Sequence, residues 1–507
     1  SDEILLQDFK SRLILSGRAD GNETRLAGTV TVKDSSSLEF HGLSFNNTVM
    51  ISNSDSILIQ DGVLDADLTV NSSTLELIGT EINTSLTAVD SEVSIQSSSV
   101  NGSLHSSRSN VSANSTSLKN TSVSASESTL VLHGSPADDS IALEEVSSSQ
   151  VDILTGEGDD ALSLQAASIQ ASTVTFDGGD GEDTITGPSA DTAWMIDGQN
   201  TGSLPGVSFL DTEILQGSPD NEDTFIFTPS GELDGEVRGG DAGFDSLVID
   251  GGSYETMTFT AFGPDAGTID LDGRLLTYRG LEPLLVRDTD ADHLNLYATA
   301  FDDFANLRDD NHTGEANTAG TMIFESDYGT FESIEFPVPN LSLTINLGTG
   351  TDSIAVESLD PLFTADLIIK DPESLVIDSS ISVPGDLEFH AGAANPLTDL
   401  LTWSGSDVAG GITVEDGVTL TAGGDMVFLV NAGLDLTLSA LTPVFQDIAS
   451  RAGITIGDAD LIADNIILTT SATTLKFSGA QVFEDELLNY LNGETLAAFD
   501  DAGATLI

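Results

Sequence analysis

The run Gly178-Gly179-Asp180-Gly181-Glu182-Asp183-Thr184-Ile185-Thr186 is the segment whose composition points most directly to chemistry. Glycines let backbone carbonyls turn inward, and Asp183 supplies a hard anionic oxygen of the kind calcium prefers. Looser copies stand at Thr155-Gly156-Glu157-Gly158-Asp159-Asp160-Ala161-Leu162, Gly134-Ser135-Pro136-Ala137-Asp138-Asp139-Ser140-Ile141 and Gly348-Thr349-Gly350-Thr351-Asp352-Ser353-Ile354. A further copy, Gly239-Gly240-Asp241-Ala242-Gly243-Phe244-Asp245, carries one extra residue. A different chemistry is suggested where basic residues gather, at Arg274, Arg279 and Arg287 beside Asp270, Asp272, Glu282 and Asp288. Polysaccharide lyases on parallel β-helices use such groups to abstract a proton next to a uronate carboxylate. The plainer reading is that these arginines neutralise neighbouring acids.

Asp288-Thr289-Asp290-Ala291-Asp292 has the alternating carboxylates of an EF-hand start, but His293 stands where a glycine is needed and Thr299 where a bidentate acid is needed. An acidic loop is expected there. Trp194 and Trp403 are read as packing residues. No helical histidine pair, Gly-x-Ser-x-Gly elbow, phosphate loop or dinucleotide fingerprint occurs, so the sequence gives no grounds for calling the chain an enzyme.

The net charge of −68, from 83 acidic residues against 15 basic ones, excludes nucleic acid as a partner, because phosphate binding needs Lys and Arg. Anionic membrane surfaces are excluded on the same ground, and no apolar run is long enough for membrane insertion. Cations are the natural partners, since they relieve self-repulsion. With no cysteine, rigidity must come from β-ladders and bound metal instead of disulfides. The chain begins at Ser1 without a signal-peptide pattern and reads as a piece of something longer.

The elements that would position these residues are set by a repeat. The apolar pair Ile57/Ile59 recurs as Leu75/Leu77, Val93/Ile95, Val111/Ala113 and Leu130/Leu132, a step of about 18 residues. A second apolar position follows as Val63, Ile82, Val100 and Leu118, and a third as Leu68, Leu86, Leu104 and Val123. Alternation such as Leu75-Glu76-Leu77 has the two-residue period of a strand. Each coil thus predicts three short strands that bury their apolar faces only by stacking.

After residue 133 the coil lengthens to about 20–23 residues, marked by Asp139, Asp160, Asp183, Asp223 and Asp245, each with an apolar residue two places on. The step of 40 between Asp183 and Asp223 is expected to hold two coils. The fold class predicted is an all-β parallel β-solenoid (β-helix). Short helices are expected at Leu441 to Ala452 and Glu484 to Phe499, and the amphipathic stretch Ile4 to Leu15 is expected to cap the N-terminal end. Four regions follow: residues 1–52, a cap with first coils; 53–133, a Ser/Asn-rich short-coil solenoid; 134–384, a Gly/Asp-rich solenoid; and 385–507, a C-terminal solenoid with helical insertions.

The nonapeptide at 178–186 resembles the hemolysin-type calcium-binding repeats of RTX proteins. That resemblance implies calcium held by Gly156, Gly158, Asp160, Gly178, Gly179, Gly181, Asp183, Asp245 and Asp352. The departure is that one copy occurs per coil, so the second half of each cage must come from the next coil. The alternative is Gly-Asp corners with no metal. Over residues 130–480, strings such as Phe262-Gly263-Pro264-Asp265-Ala266-Gly267-Thr268-Ile269 and Tyr278-Arg279-Gly280-Leu281-Glu282-Pro283 are similar to segments of giant repetitive bacterial exoproteins of the LEPR-XLL type. This second resemblance implies export and an extracellular, cell-surface location.

The functional expectation is a structural segment of an adhesin, stalk or fibre, rigidified by calcium. Its partners would be calcium ions, other copies or neighbouring repeats of the same protein, and surface glycans. The alternative is a polysaccharide lyase or glycan-binding module on a β-helix.

Overall fold

The structure is a computed structural model that describes residues 3–17, 24–310, 320–392, 411–415 and 417–430, together with five strands between Gly453 and Val482. Every regular element among the described residues is a strand, and parallel pairing dominates. The fold is an all-β solenoid, as the repeat requires. The expected helices at 441–452 and 484–499, and Trp403, lie outside the described residues. The chain divides into two compact units, Ser1–Asp245 and Ser246–Ile507.

In the first unit most strands pair in parallel with their counterpart one coil later. Leu13, Leu38, Ile57, Leu75, Val93, Val111, Leu130, Val151, Val174 and Val207 form one continuous column. Successive members are separated by the inter-strand spacing of about 4.8 Å. The strands show the inside-outside alternation that the two-residue period demands, as in Thr74–Ile78 and Glu92–Gln96. A second column runs through Leu68, Leu86, Leu104 and Val123. The third side stacks Leu26, Phe45, Leu64, Ile82 and Val100. Here Leu64 and not Val63 is the inward residue, since Val63 pairs with the outward Glu81. Leu64, Ile82 and Val100 each lie seven residues after Ile57, Leu75 and Val93, so the 18-residue step selects Leu64 and not its neighbour.

The N-terminal stretch forms the strands Glu3–Gln7 and Leu13–Ser16, which pair with Thr29–Lys33 and Leu38–His41 as a coil like the others. The 40-residue step holds something other than two parallel coils. An antiparallel meander, Ala193–Gly198, Thr201–Leu204 and Val207–Leu210, is inserted there. Ile185 therefore stacks on Leu215, and Trp194 on Phe225. Trp194 is fully buried and stacks on the Phe225 ring at 5.3 Å, a packing residue as its composition suggested.

The second unit has its own columns. Met257, Leu294, Leu343, Leu367, Leu387, Met426 and Ile466 align on one side. Ala305, Ile354, Leu375, Ile412 and Ile454 align on another. Coils here exceed the expected 20–23 residues where antiparallel hairpins are inserted. One comprises Ser253–Gly263, Ala266–Leu271 and Arg274–Arg279. The other comprises Phe304–Asp309, Thr321–Ser326 and Ile334–Pro337.

Candidate functional site

Coil stacking leaves corners where backbone amides turn away from the ladders and need other acceptors. At one corner of the first unit the acceptor is a serine hydroxyl in each coil from Ser35 to Ser172. Ser35 N–H donates to Ser54 Oγ (3.1 Å), Ser54 to Ser73 (3.0 Å), Ser73 to Ser91 (3.2 Å) and Ser91 to Ser109 (2.9 Å). The series continues from Ser109 to Ser128, Ser149 and Ser172. Each hydroxyl donates in turn to the carbonyl two residues before it, for example Ser73 to Asn71 at 2.7 Å. The residue preceding each rung is left-handed without being glycine: Ser72, Asp90, Arg108, Glu127, Ser148 and Ala171 have φ near 50°. Sequence reasoning missed this column. Its signal, a serine two residues before the apolar pair from Ser73 onward, is hidden by the abundance of serine.

The Asp residues of the Gly-Asp segments occupy a different corner. By register they extend the third apolar side: Ser140 N–H donates to Leu118 O, Ala161 to Asp139 O, Thr184 to Asp160 O and Ile214 to Asp183 O. An apolar column thus becomes a carboxylate column. Leu118 N–H donates to Asp139 Oδ1 (2.6 Å), Asp139 N–H to Asp160 Oδ1 (2.7 Å) and Asp160 N–H to Asp183 Oδ1 (2.8 Å). Asp183 N–H closes the series on Glu213 Oε2 at 2.9 Å. Asp139, Asp160 and Asp183 are all within 1% of full burial.

Asp139 Oδ2 takes the Ser135 N–H, whereas Asp160 Oδ2 and Asp183 Oδ2 are buried without a hydrogen-bond partner. Burial disfavours the charged form, and neighbouring carboxylates add repulsion. Burial accordingly raises Asp139, Asp160 and Glu213, and pushes Asp183 up to about 7.

The glycines have a steric role in this corner. A Cβ at Gly178 would collide with Asp183 Oδ2 and Asp211 O, so the carboxylate lies in the space that the missing side chain leaves. Gly179, at φ 96°, packs against the Gly156 carbonyl where any side chain would clash. Gly156, Gly158 and Gly181 share the positive φ, and Gly156 pairs with Gly179. The sequence-predicted residues from 156 to 183 are therefore brought together, as successive rungs.

Asp245 belongs to a second short column in which Thr192 N–H donates to Asp223 Oδ1 (3.0 Å) and Asp223 N–H to Asp245 Oδ1 (2.7 Å). Burial lifts Asp223 to about 6 and raises Asp245. Asp352 sits in the second unit in the same kind of arrangement: Asp303 N–H donates to its Oδ1 (2.8 Å) and Asp352 N–H to Glu373 Oε2 (2.5 Å). Its Oδ2 is buried without a hydrogen-bond partner, and burial pushes it up to about 8.

For calcium, these columns offer one uncommitted carboxylate oxygen at Asp160, at Asp183 and at Asp352, against the six to eight oxygens that the ion takes. Among the described residues no group of three or more His, Asp or Glu is placed to hold a metal. The buried donor set alone falls short of a calcium cage. Outside it, the solvent-facing acids Asp138, Asp159 and Glu182 line the same corner, with Asp159 N–H on Asp138 Oδ1 and Glu182 N–H on Asp159 Oδ1.

The arginine group of the second unit lies in and beside the hairpin Ala266–Leu271/Arg274–Arg279. Arg274 lies over the Tyr254 ring at 5.6 Å, Asp272 accepts the Glu255 and Thr256 amides, and Asp270 accepts Gly273 N–H. These contacts hold the hairpin together. The acidic stretch 288–292 runs into the strand Asp290–Tyr297 and does not form a loop there. Searches against protein-family models, curated proteins and solved structures find no match for the chain.

Proposed function

We propose that this chain is a structural segment of a secreted or cell-surface bacterial repeat protein, of the adhesin, stalk or fibre kind, with no catalytic role. The observation that carries the reading is the ten-member apolar column from Leu13 to Val207, in which each coil is spent on stacking upon the next. Repetition of one stacking unit adds length at constant cross-section, which is what an extracellular spacer needs. The resemblance to giant exoproteins supports export, and the charge of −68 supports an environment rich in divalent cations.

Calcium enters as the counter-ion of the outward acids Asp138, Asp159 and Glu182, where it relieves repulsion between coils. The alternative, a lyase or glycan-binding module, draws on the arginine group at the second unit's hairpin. Antibody labelling of intact producing cells tests location: surface label is expected, and label only after lysis would contradict it. Turnover of any uronate polysaccharide, abolished by chelator and by Arg274→Ala, would replace the structural reading with the lyase one.

A further inference from the structure

On the second unit three aromatic rings face solvent, and two of them are in direct contact. Phe301 is 63% exposed, Phe304 39% and Tyr328 74%. Phe304 and Tyr328 meet edge to face, with centroids 4.9 Å apart and planes at 89°. The backbone fixes this meeting, because Asp327 N–H donates to Phe304 O at 2.7 Å.

Two exposed carboxylates flank the rings and are held in place. Asp302 Oδ1 accepts Thr351 N–H at 2.9 Å, and Asp327 Oδ1 accepts from Asn306 Nδ2 at 2.6 Å. In an edge-to-face pair the ring that supplies its edge keeps both faces open. The negative face of an aromatic ring attracts a cation, and an adjacent carboxylate reinforces it.

We propose that Phe304 and Tyr328, with Asp302 and Asp327, form a docking site for a lysine- or arginine-bearing segment of another protein. Charge complementarity selects this occupant. With 83 acidic residues against 15 basic ones, the chain's field draws basic segments in and repels anionic glycans. Neutral sugars could stack on the rings but would gain nothing from the field. The same chemistry is already used inside the unit, where Arg274 lies over Tyr254. The site does not depend on the surface role proposed above.

The test is binding of a labelled peptide of alternating Arg and Ser to the full chain in roughly 0.5 M NaCl, where diffuse attraction is largely screened. The double variant Phe304→Ser/Tyr328→Ser keeps the net charge, and it is expected to weaken binding about tenfold, from two- to fivefold per ring. Asp302→Asn/Asp327→Asn is expected to weaken it as well. Should the double variant lose its β signal in circular dichroism, Tyr328→Ser alone, at the most exposed ring, is expected to weaken binding at least about twofold. Unchanged peptide affinity in the folded aromatic variant would overturn the proposal. So would binding of a neutral oligosaccharide such as maltoheptaose that is lost in the variant while peptide binding stays.

Discussion

The serine corner from Ser35 to Ser172 and the carboxylate corner from Asp139 to Glu213 solve one geometric problem with groups of opposite cost. In both, a side-chain oxygen of one coil accepts the amide of the coil before it. A serine hydroxyl does this as a neutral group and donates its own proton to a carbonyl two residues back, so its one donor is satisfied and no charge is buried. A buried aspartate has no proton to return when ionised, and at Asp160 and Asp183 one oxygen is left over. Serine rungs are therefore indifferent to pH, while carboxylate rungs couple coil stacking to proton uptake. The carboxylate has the longer reach. It appears where the third strand gives way to a glycine corner and the apolar column ends at Leu118.

This contrast can be broken most forcefully with pH. Asp183 in the folded chain is pushed up to about 7, against an ordinary value of 3.8. A carboxyl with a raised folded pKa contributes fully below its unfolded pKa, and that contribution is lost as pH rises through the folded value. Stability measured by urea unfolding is expected to fall between about pH 4 and 7, by up to about 1.4 kcal/mol per pH unit for one proton. Self-repulsion of the whole chain acts in the same direction, so the informative quantity is the difference between wild type and Asp183→Asn. The asparagine keeps an acceptor for Asp160 N–H and is expected to flatten the slope. An unchanged slope would mean that Asp183 is ionised in the fold.

The serine side is sharpened by Ser109→Ala, which leaves Ser91 N–H without its acceptor at 2.9 Å. A loss of about 1–3 kcal/mol is expected, equal at pH 5 and pH 8. A pH-dependent loss would erase the distinction between the corners. The smallest effect concerns the left-handed residues that precede the serine rungs. Ala171, at φ 49°, carries a Cβ penalty that glycine escapes, so Ala171→Gly is expected to stabilise by about 0.5–1 kcal/mol in the same assay. Destabilisation would show that the corner depends on the side chain.

Much of the fold is legible in the residues themselves. The apolar pairs from Ile57 to Leu130 carry a period that only stacked strands satisfy, and their alignment follows. Leu64 was hidden behind Val63 because two adjacent apolar residues leave the inward one undecided unless the 18-residue step is applied strictly. The meander at 193–210 was hidden because antiparallel strands alternate like parallel ones, so chain length alone could not separate them. At the candidate site the Gly-Asp spacing revealed which residues gather but not how. The motif places Asp183 close to the glycines whether its oxygens face an ion or a neighbouring amide. Only the coil-to-coil register shows that Asp160 N–H takes Oδ1. The serine column was invisible for a statistical reason, since one invariant serine among many carries no contrast.

Hydrogen exchange at the amides of Asp139, Asp160 and Asp183 tests most directly the claim that buried carboxylates close the corners of the coil stack. These residues lie at glycine-rich corners just ahead of the strands that begin at Ser140, Ala161 and Thr184. Strong protection is expected at all three, comparable to that of the flanking strands and reduced at Asp139 when Asp160 is changed to Ala. Exchange at the rate of open loop amides would show that the carboxylates do not accept them, and the account of the column would fail.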